Sequence, residues 1–214
     1  LQTQMFRRVA LVILGNVFIG LAVSLLRIAN LGTDPFSTMN LGLSSTLNLS
    51  LGIFQVIINL VLFPLMIVYL RNSIGLGTIV NMFGIGFISD FFVYIYFNLF
   101  EQIPGLELRL IFMLVAVALT SLGVALYVTP DLGMAPYDAL AFVIEKVSNG
   151  NIRFSIARMI TDVSAVIIGF MFGAVVGVAT VILAFFLGPF IQFFRVRVAE
   201  PLVHSKMPPI TFTE

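Results

Sequence analysis

The sequence predicts an all-α protein: a polytopic membrane helix bundle of six spans plus two short half-helices, arranged as two tandem inverted repeats. Three observations predict it. The first is composition: 60% of the 214 residues are hydrophobic and 10% are charged, with mean hydropathy +1.12. Ordinary soluble domains are roughly 45–50% apolar and about 25% charged. Eleven Lys and Arg with ten Asp and Glu are too few to cover a water-soluble fold, which excludes soluble enzymes, nucleic-acid binders and disordered chains. The second observation is six stretches long enough to cross a bilayer. The third is a set of motifs that recurs about halfway along the chain.

A membrane helix needs about 20 mostly apolar residues. Val9 to Leu26, Leu51 to Leu70, Ile74 to Phe97, Leu110 to Val128, Phe154 to Phe172 and Ala174 to Phe194 qualify. The first reads as a retained span and not a cleaved leader, because no small-residue cleavage site follows Arg7 and Arg8. Pro35 to Asn48 and Pro136 to Val147 are apolar but short, about 21 Å and 18 Å as helices. They read as half-helices, re-entrant or interfacial. With six spans, Arg7, Arg8, Arg71, Lys146, Arg153, Arg195, Arg197 and Lys206 fall on one side, which the positive-inside rule makes cytoplasmic together with both termini. Eight crossings would give the same tally, so length and polarity select six.

The motifs repeat in order. Leu31-Gly32-Thr33-Asp34-Pro35-Phe36-Ser37 aligns with Leu132-Gly133-Met134-Ala135-Pro136-Tyr137-Asp138 at an offset of 101. Gly75, Thr78, Gly86, Phe91 and Phe92 align with Gly177, Thr180, Gly188, Phe193 and Phe194 at an offset of 102, which one inserted residue explains. Each repeat reads span, Leu-Gly-x-x-Pro turn, half-helix, span, span. Three crossings is odd, so the second copy is upside down relative to the first, an architecture recurrent in transporters. The expected organisation is a first membrane repeat over 1–98, an external loop over 99–109, a second repeat over 110–195 and a cytoplasmic tail over 196–214, polar and disordered from Val198.

These residues, with Gly77, Asn81 and Asp90, resemble the bacterial YczE/YyaS/YitT family of integral membrane proteins. The resemblance covers roughly Arg8 to Phe194. The second half departs from it: Gln192 stands where the first has Asp90, Ala179 where it has Gly77, and Leu183 where it has Asn81. The resemblance implies a multi-span inner-membrane protein for which export or transport is the usual suggestion, and it names no substrate.

The candidate substrate or coupling residues are Asp90, Arg158, Asp162, Thr78, Thr180 and Asn81. Charged groups inside spans are costly and mark function by default. Arg158 and Asp162 lie four apart on one helix face and can pair; Arg27 can reach Asp90. A carboxylate in low dielectric has a raised pKa, which opens proton coupling to Asp90 or Asp162. Thr78 and Thr180 open spans, where they serve packing or coordination. Gly32, Asp34, Pro35, Gly133, Pro136 and Asp138 form the half-helix turns, in which Gly permits positive φ, Pro suits the first helical position and Thr33 or Asp34 can cap. Exposed half-helix N-termini suit polar substrates. The Phe and Tyr runs from Phe83 and from Phe185 read as lipid faces.

The expected function is a small inverted-repeat inner-membrane secondary transporter or exporter of an unidentified small molecule. The alternatives are a substrate-binding membrane subunit of a larger transporter, or a non-transporting scaffold or chaperone. No P-loop, paired-carboxylate motif or Ser/His constellation points to an enzyme. With no Cys and one His, His204, nothing calls for a metal or cofactor. The expected partners are the lipid bilayer and the small molecule, with no nucleic acid at a net charge of +1; a bundle this thin admits a homodimer.

Overall fold

The computed structural model describes residues 2–204, with side chains from 4 to 203. Among them the chain is all helical: α1 (Gln2–Ala29), α2 (Pro35–Thr46), α3 (Leu51–Tyr69), α4 (Leu76–Phe100), α5 (Leu106–Val128), α6 (Pro136–Val147), α7 (Phe154–Met171), α8 (Val178–Phe194) and a terminal α9 (Glu200–His204). Six helices are long and apolar enough to cross a membrane. α2 and α6, at 12 residues each, are not.

Two boundaries differ from expectation. α4 and α5 run over Phe100 and from Leu106, so the segment between them is five residues and not the expected 99–109 loop. The last helix does not end at the expected tail: a π turn over Arg195–Ala199 leads into α9. Ala199 packs with Leu11, Ala125 and Leu126, and that apolar contact draws the helix past its charged residues. Lys206 and the rest of the expected tail, 205–214, lie outside the described residues.

α1 and α5 form an antiparallel central pair. Arg109 at the start of α5 donates to the Ala29 and Asn30 carbonyls at the end of α1. Midway, a Cβ on Gly15 would lie 2.6 Å from the Gly123 carbonyl oxygen, and one on Gly123 would lie 2.7 Å from the Gly15 oxygen. The two backbones therefore touch, which small residues allow in membrane interiors. α4 packs on α1 and α8 on α5, while the half-helices cross over: α2 lies on α7, and α6 on α3. Arg7 donates to the Pro201 carbonyl, so the start of α1 and α9 meet at one end of the bundle, here the terminal end. α7 and the helical run Val178–Val203 bury only 22% and 17% of their most apolar stretches. Phe83, Phe87, Phe91, Tyr94, Phe185, Phe186 and Phe193 point outward, as a lipid-facing surface requires.

The halves share backbone landmarks at an offset of 101. Positive φ occurs at Asn30 and Asp131, Gly32 and Gly133, Asn48 and Asn149. Along the third helices the offset is neither 101 nor 102. The caps Ser50 and Arg153 differ by 103, and the buried positions Phe54, Asn59 and Met66 of α3 match Ala157, Asp162 and Gly169 of α7 at that spacing. The connection before α7 is longer by two residues and the one after it shorter by one, which corrects the single insertion expected from sequence.

Candidate functional site

The site begins at the two Leu-Gly turns. After α1 the chain turns back through Gly32, whose φ of +94° lies where only Gly is unstrained. The Leu31 carbonyl accepts from Ala179 N–H at 3.0 Å; in the other half the Leu132 carbonyl accepts from Gly77 N–H at 2.7 Å. Each turn is thus clamped by the start of the other half's last span. Thr78 and Thr180 serve this joint. Their hydroxyls accept from Gly75 N–H at 3.1 Å and Gly177 N–H at 3.4 Å, and they pack on Gly133 and Gly32. The two hydroxyls are used in capping, and neither residue lines the cavity described next.

Asp34 caps α2, accepting from Ser37 N–H at 3.0 Å, with Pro35 in the first turn. Burial raises its carboxyl above the ordinary 3.8, partly offset by that hydrogen bond. α6 has Pro136 in its first turn and no side-chain cap, since Ala135 carries no acceptor; the Ala135 N–H donates instead to Tyr127 Oη. The two half-helix N-termini meet. Phe36 and Tyr137, which correspond at the offset of 101, stack with centroids 4.4 Å apart and planes at 26°. Around this stack is a partly open cavity of about 90 Å³ in the middle of the bundle.

On the α7 wall, Arg158 Nε donates to Asp162 Oδ2 at 3.0 Å and Nη1 to Asp138 Oδ1 at 2.9 Å. Tyr137 Oη donates to Asp162 Oδ1 at 2.7 Å, and the guanidinium lies 5.2 Å from the Tyr137 ring centroid. Burial and the Asp162 charge raise the Tyr137 hydroxyl far above its ordinary value, so it remains a donor. On the α3 wall, at the offset of 103, Gln55 and Asn59 occupy the positions of Arg158 and Asp162. Gln55, Asn81 and Thr120 line the cavity. Gln55 Oε1, Thr120 Oγ1 and both polar atoms of the Asn59 amide have no hydrogen-bond partner among the described residues.

The predicted residues therefore divide. Asp34, Asp138, Arg158, Asp162 and Asn81 converge on the cavity. Asp90 stands apart from them. Its Oδ1 accepts from Arg27 at 2.8 Å, its Oδ2 from the Gly52 N–H at 2.7 Å, and Arg27 also reaches Ser89 at 2.9 Å. This ties α1, α3 and α4 together away from the terminal end. Sequence patterns gave no signal for Phe36, Tyr137 or Thr120 as cavity residues. Gln55 and Asn59 are polar groups in an apolar span, and no motif singles them out. Among the described residues, no group of three or more His, Cys, Asp and Glu is placed to hold a metal ion.

The two ends of the site are unequal. Toward the terminal end, Met134 N–H donates to the Ser73 carbonyl at 3.1 Å and Lys146 Nζ to the Tyr69 carbonyl at 2.7 Å. At the opposite end the counterparts are Thr33 with Val175, and Ser45 in place of Lys146. No hydrogen bond joins Thr33 to Val175 among the described residues. A second cavity of about 250 Å³ lies there instead, lined by Arg27, Thr33, Ser45, Gly173 and Val175.

A family model described as "Family of unknown function (DUF6198)" matches residues 6–196. An uncharacterized protein of Haemophilus influenzae is 28% identical over 196 residues, covering 91% of this chain and 86% of its own. Two Bacillus subtilis proteins are each 25% identical: uncharacterized protein YyaS over 169 residues (79% and 83%) and uncharacterized membrane protein YczE over 166 residues (76% and 73%). No solved structure matches the chain significantly.

Proposed function

The chain belongs to the DUF6198 family of membrane proteins of unknown function, with YyaS and YczE as relatives, and from that premise we propose that it is a small secondary transporter or exporter of the bacterial cytoplasmic membrane. Its halves act as inverted repeats around the central cavity, and both termini are cytoplasmic. The observation that carries this is the inequality of the two ends. Both ends share the Leu-Gly clamp, but one carries two further bonds, Met134 to Ser73 and Lys146 to Tyr69, whose counterparts beside Thr33 and Val175 are missing among the described residues, where a second cavity lies. A fold of two like halves bonded more fully at one end than at the other is one member of an alternating pair, and the second member exchanges the extra contacts. The inverted arrangement is supported by the antiparallel α1 and α5, the crossed packing of α2 on α7 and α6 on α3, and the reciprocal bonds of Gly77 to Leu132 and Ala179 to Leu31. Substrate at the midplane between half-helix N-termini follows the logic of such transporters.

The naturally Cys-free chain allows a direct test. Ser73→Cys with Met134→Cys, and separately Thr33→Cys with Val175→Cys, are cross-linked in membranes by a mild oxidant. Alternating access predicts that both pairs form disulfides and that locking either one abolishes flux in proteoliposomes. If the Thr33/Val175 pair never cross-links while the other does so fully, the protein has one state, as a scaffold or chaperone would. Copurification with a partner ATPase would instead favour a substrate-binding subunit.

A further inference from the structure

The chemistry of the central cavity selects the sign of its ligand. Three carboxylates, Asp34, Asp138 and Asp162, line it against one guanidinium, Arg158. Arg158 is already engaged, by Asp162 through Nε, by Asp138 through Nη1 and by the face of Tyr137. The carboxylates exceed it by two formal charges. The N-termini of α2 and α6 each contribute at most about half a positive charge, so the cavity remains net negative. Asp34 Oδ1 is used by Ser37 N–H and Asp138 Oδ1 by Arg158. The second oxygen of each takes no hydrogen bond among the described residues.

An independent observation points to an absent ligand. Gln55 and Thr120 are 2% and 4% exposed, line the same cavity, and present Oε1 and Oγ1 without partners. Buried polar atoms are almost always satisfied, so unpaired atoms on two side chains that line one cavity, Thr120 and a Gln55 whose oxygen lies against Gly86 and turns toward the cavity by rotation of its amide, point to a bound molecule. The remaining lining is apolar: Ile19, Val23, Val124 and Leu183 beside the stacked Phe36 and Tyr137.

We propose that the central cavity binds a small organic cation, a protonated amine with an apolar body, whose ammonium group is held between Asp34 and Asp138 while Gln55 and Thr120 complete its hydrogen bonds. This rests on the cavity being the transporter's substrate site. The uncompensated carboxylates reject a carboxylate of the same shape.

The test is equilibrium binding of radiolabelled phenethylamine, and in parallel phenylacetate, to the protein in lipid nanodiscs, with excess unlabelled probe defining saturable binding. Asp34→Asn is the informative variant, since Asn also caps helices and α2 keeps its start while the cavity loses a charge. Asp131→Asn, at an exposed position outside the cavity, is the control. The expected result is saturable phenethylamine binding, no saturable phenylacetate binding, about tenfold or greater weakening by Asp34→Asn and no change with Asp131→Asn. Weakening by Gln55→Leu with retained monodispersity and helicity would support the same site. Saturable binding of phenylacetate, equal phenethylamine affinity in wild type and Asp34→Asn, or no saturable phenethylamine binding overturns the proposal. Each of those leaves the cross-linking result untouched, so failure of the ligand class is distinguishable from failure of the transporter.

Discussion

Converting the Arg158–Asp162 pair into the Gln–Asn pair that the other half carries at Gln55 and Asn59 dissects the cavity wall. Removing one partner of a fully buried ion pair costs about 3–5 kcal/mol. Here Arg158 and Asp138 are 30% and 37% exposed and Asp162 12%, so solvent screening lowers the expectation for Arg158→Gln to about 2–3 kcal/mol. That variant leaves Asp138 and Asp162 side by side without their cation. Asp162→Asn costs less, about 1–2 kcal/mol, because the amide oxygen still accepts from Tyr137 Oη. In the double variant the unpaired Asp162 charge is gone. Its cost falls short of the sum of the single variants by about 1–2 kcal/mol. At about 2–4 °C per kcal/mol for a chain of this length, Arg158→Gln lowers the unfolding midpoint by about 4–12 °C. The chain has no Trp, so far-UV circular dichroism or size-exclusion after heating is the readout. Effects additive to within about 0.3 kcal/mol would refute the coupling, and with it the view that Arg158 is neutralised by its neighbours.

Gly15→Val places a branched side chain where even a Cβ lies 2.6 Å from the Gly123 oxygen. It separates α1 from α5 and costs about 3 kcal/mol or more, seen as a lowered midpoint or loss of monodisperse protein. Asp90→Asn weakens the tie to Arg27 and Gly52 N–H; it lowers thermal stability but leaves phenethylamine affinity within about twofold, because Asp90 is outside the cavity. Burial raises the Asp34 carboxyl, against the Ser37 N–H and reinforced by the Asp162 charge, with Asp138, Arg158, Tyr127 and Tyr137 around the same cavity. The folded state therefore holds this proton more tightly than the unfolded chain. The resulting stabilisation is present below pH 3.8 and is lost as pH rises through the raised value. Asp34→Asn removes that part of the slope, measured as stability against pH.

Some of the site was legible residue by residue. Arg158 and Asp162 announced their pairing by a spacing of four. Arg27 was near enough in the span order to reach Asp90, and Asp34 had the capping position before Pro35. Placement was less legible. Asp90 and Asp162 look alike in sequence, each a carboxylate in an apolar helix, yet one ties three helices together away from the cavity and the other lines it. That difference depends on which helices are neighbours, and hydropathy is blind to neighbours. Gln55 illustrates the same limit: its correspondence with Arg158 requires an offset of 103 that no motif in α3 or α7 reports.

The sequence by itself determined the solvent, the six spans, the two half-helices and the recurrence of the Leu-Gly turns. Those features follow from local physics: transfer energy summed over about 20 residues, the fixed φ of Pro and the freedom of Gly. Only the tertiary structure decided that the half-helix N-termini meet, that each packs on the opposite half's third helix, that Phe36 stacks on Tyr137, and that Met134 and Lys146 bond to Ser73 and Tyr69 at one end while Thr33 and Ser45 make no such bonds at the other, among the described residues. These are contacts between segments about a hundred residues apart. They depend on how two large apolar surfaces interlock, and no local preference along the chain encodes that fit.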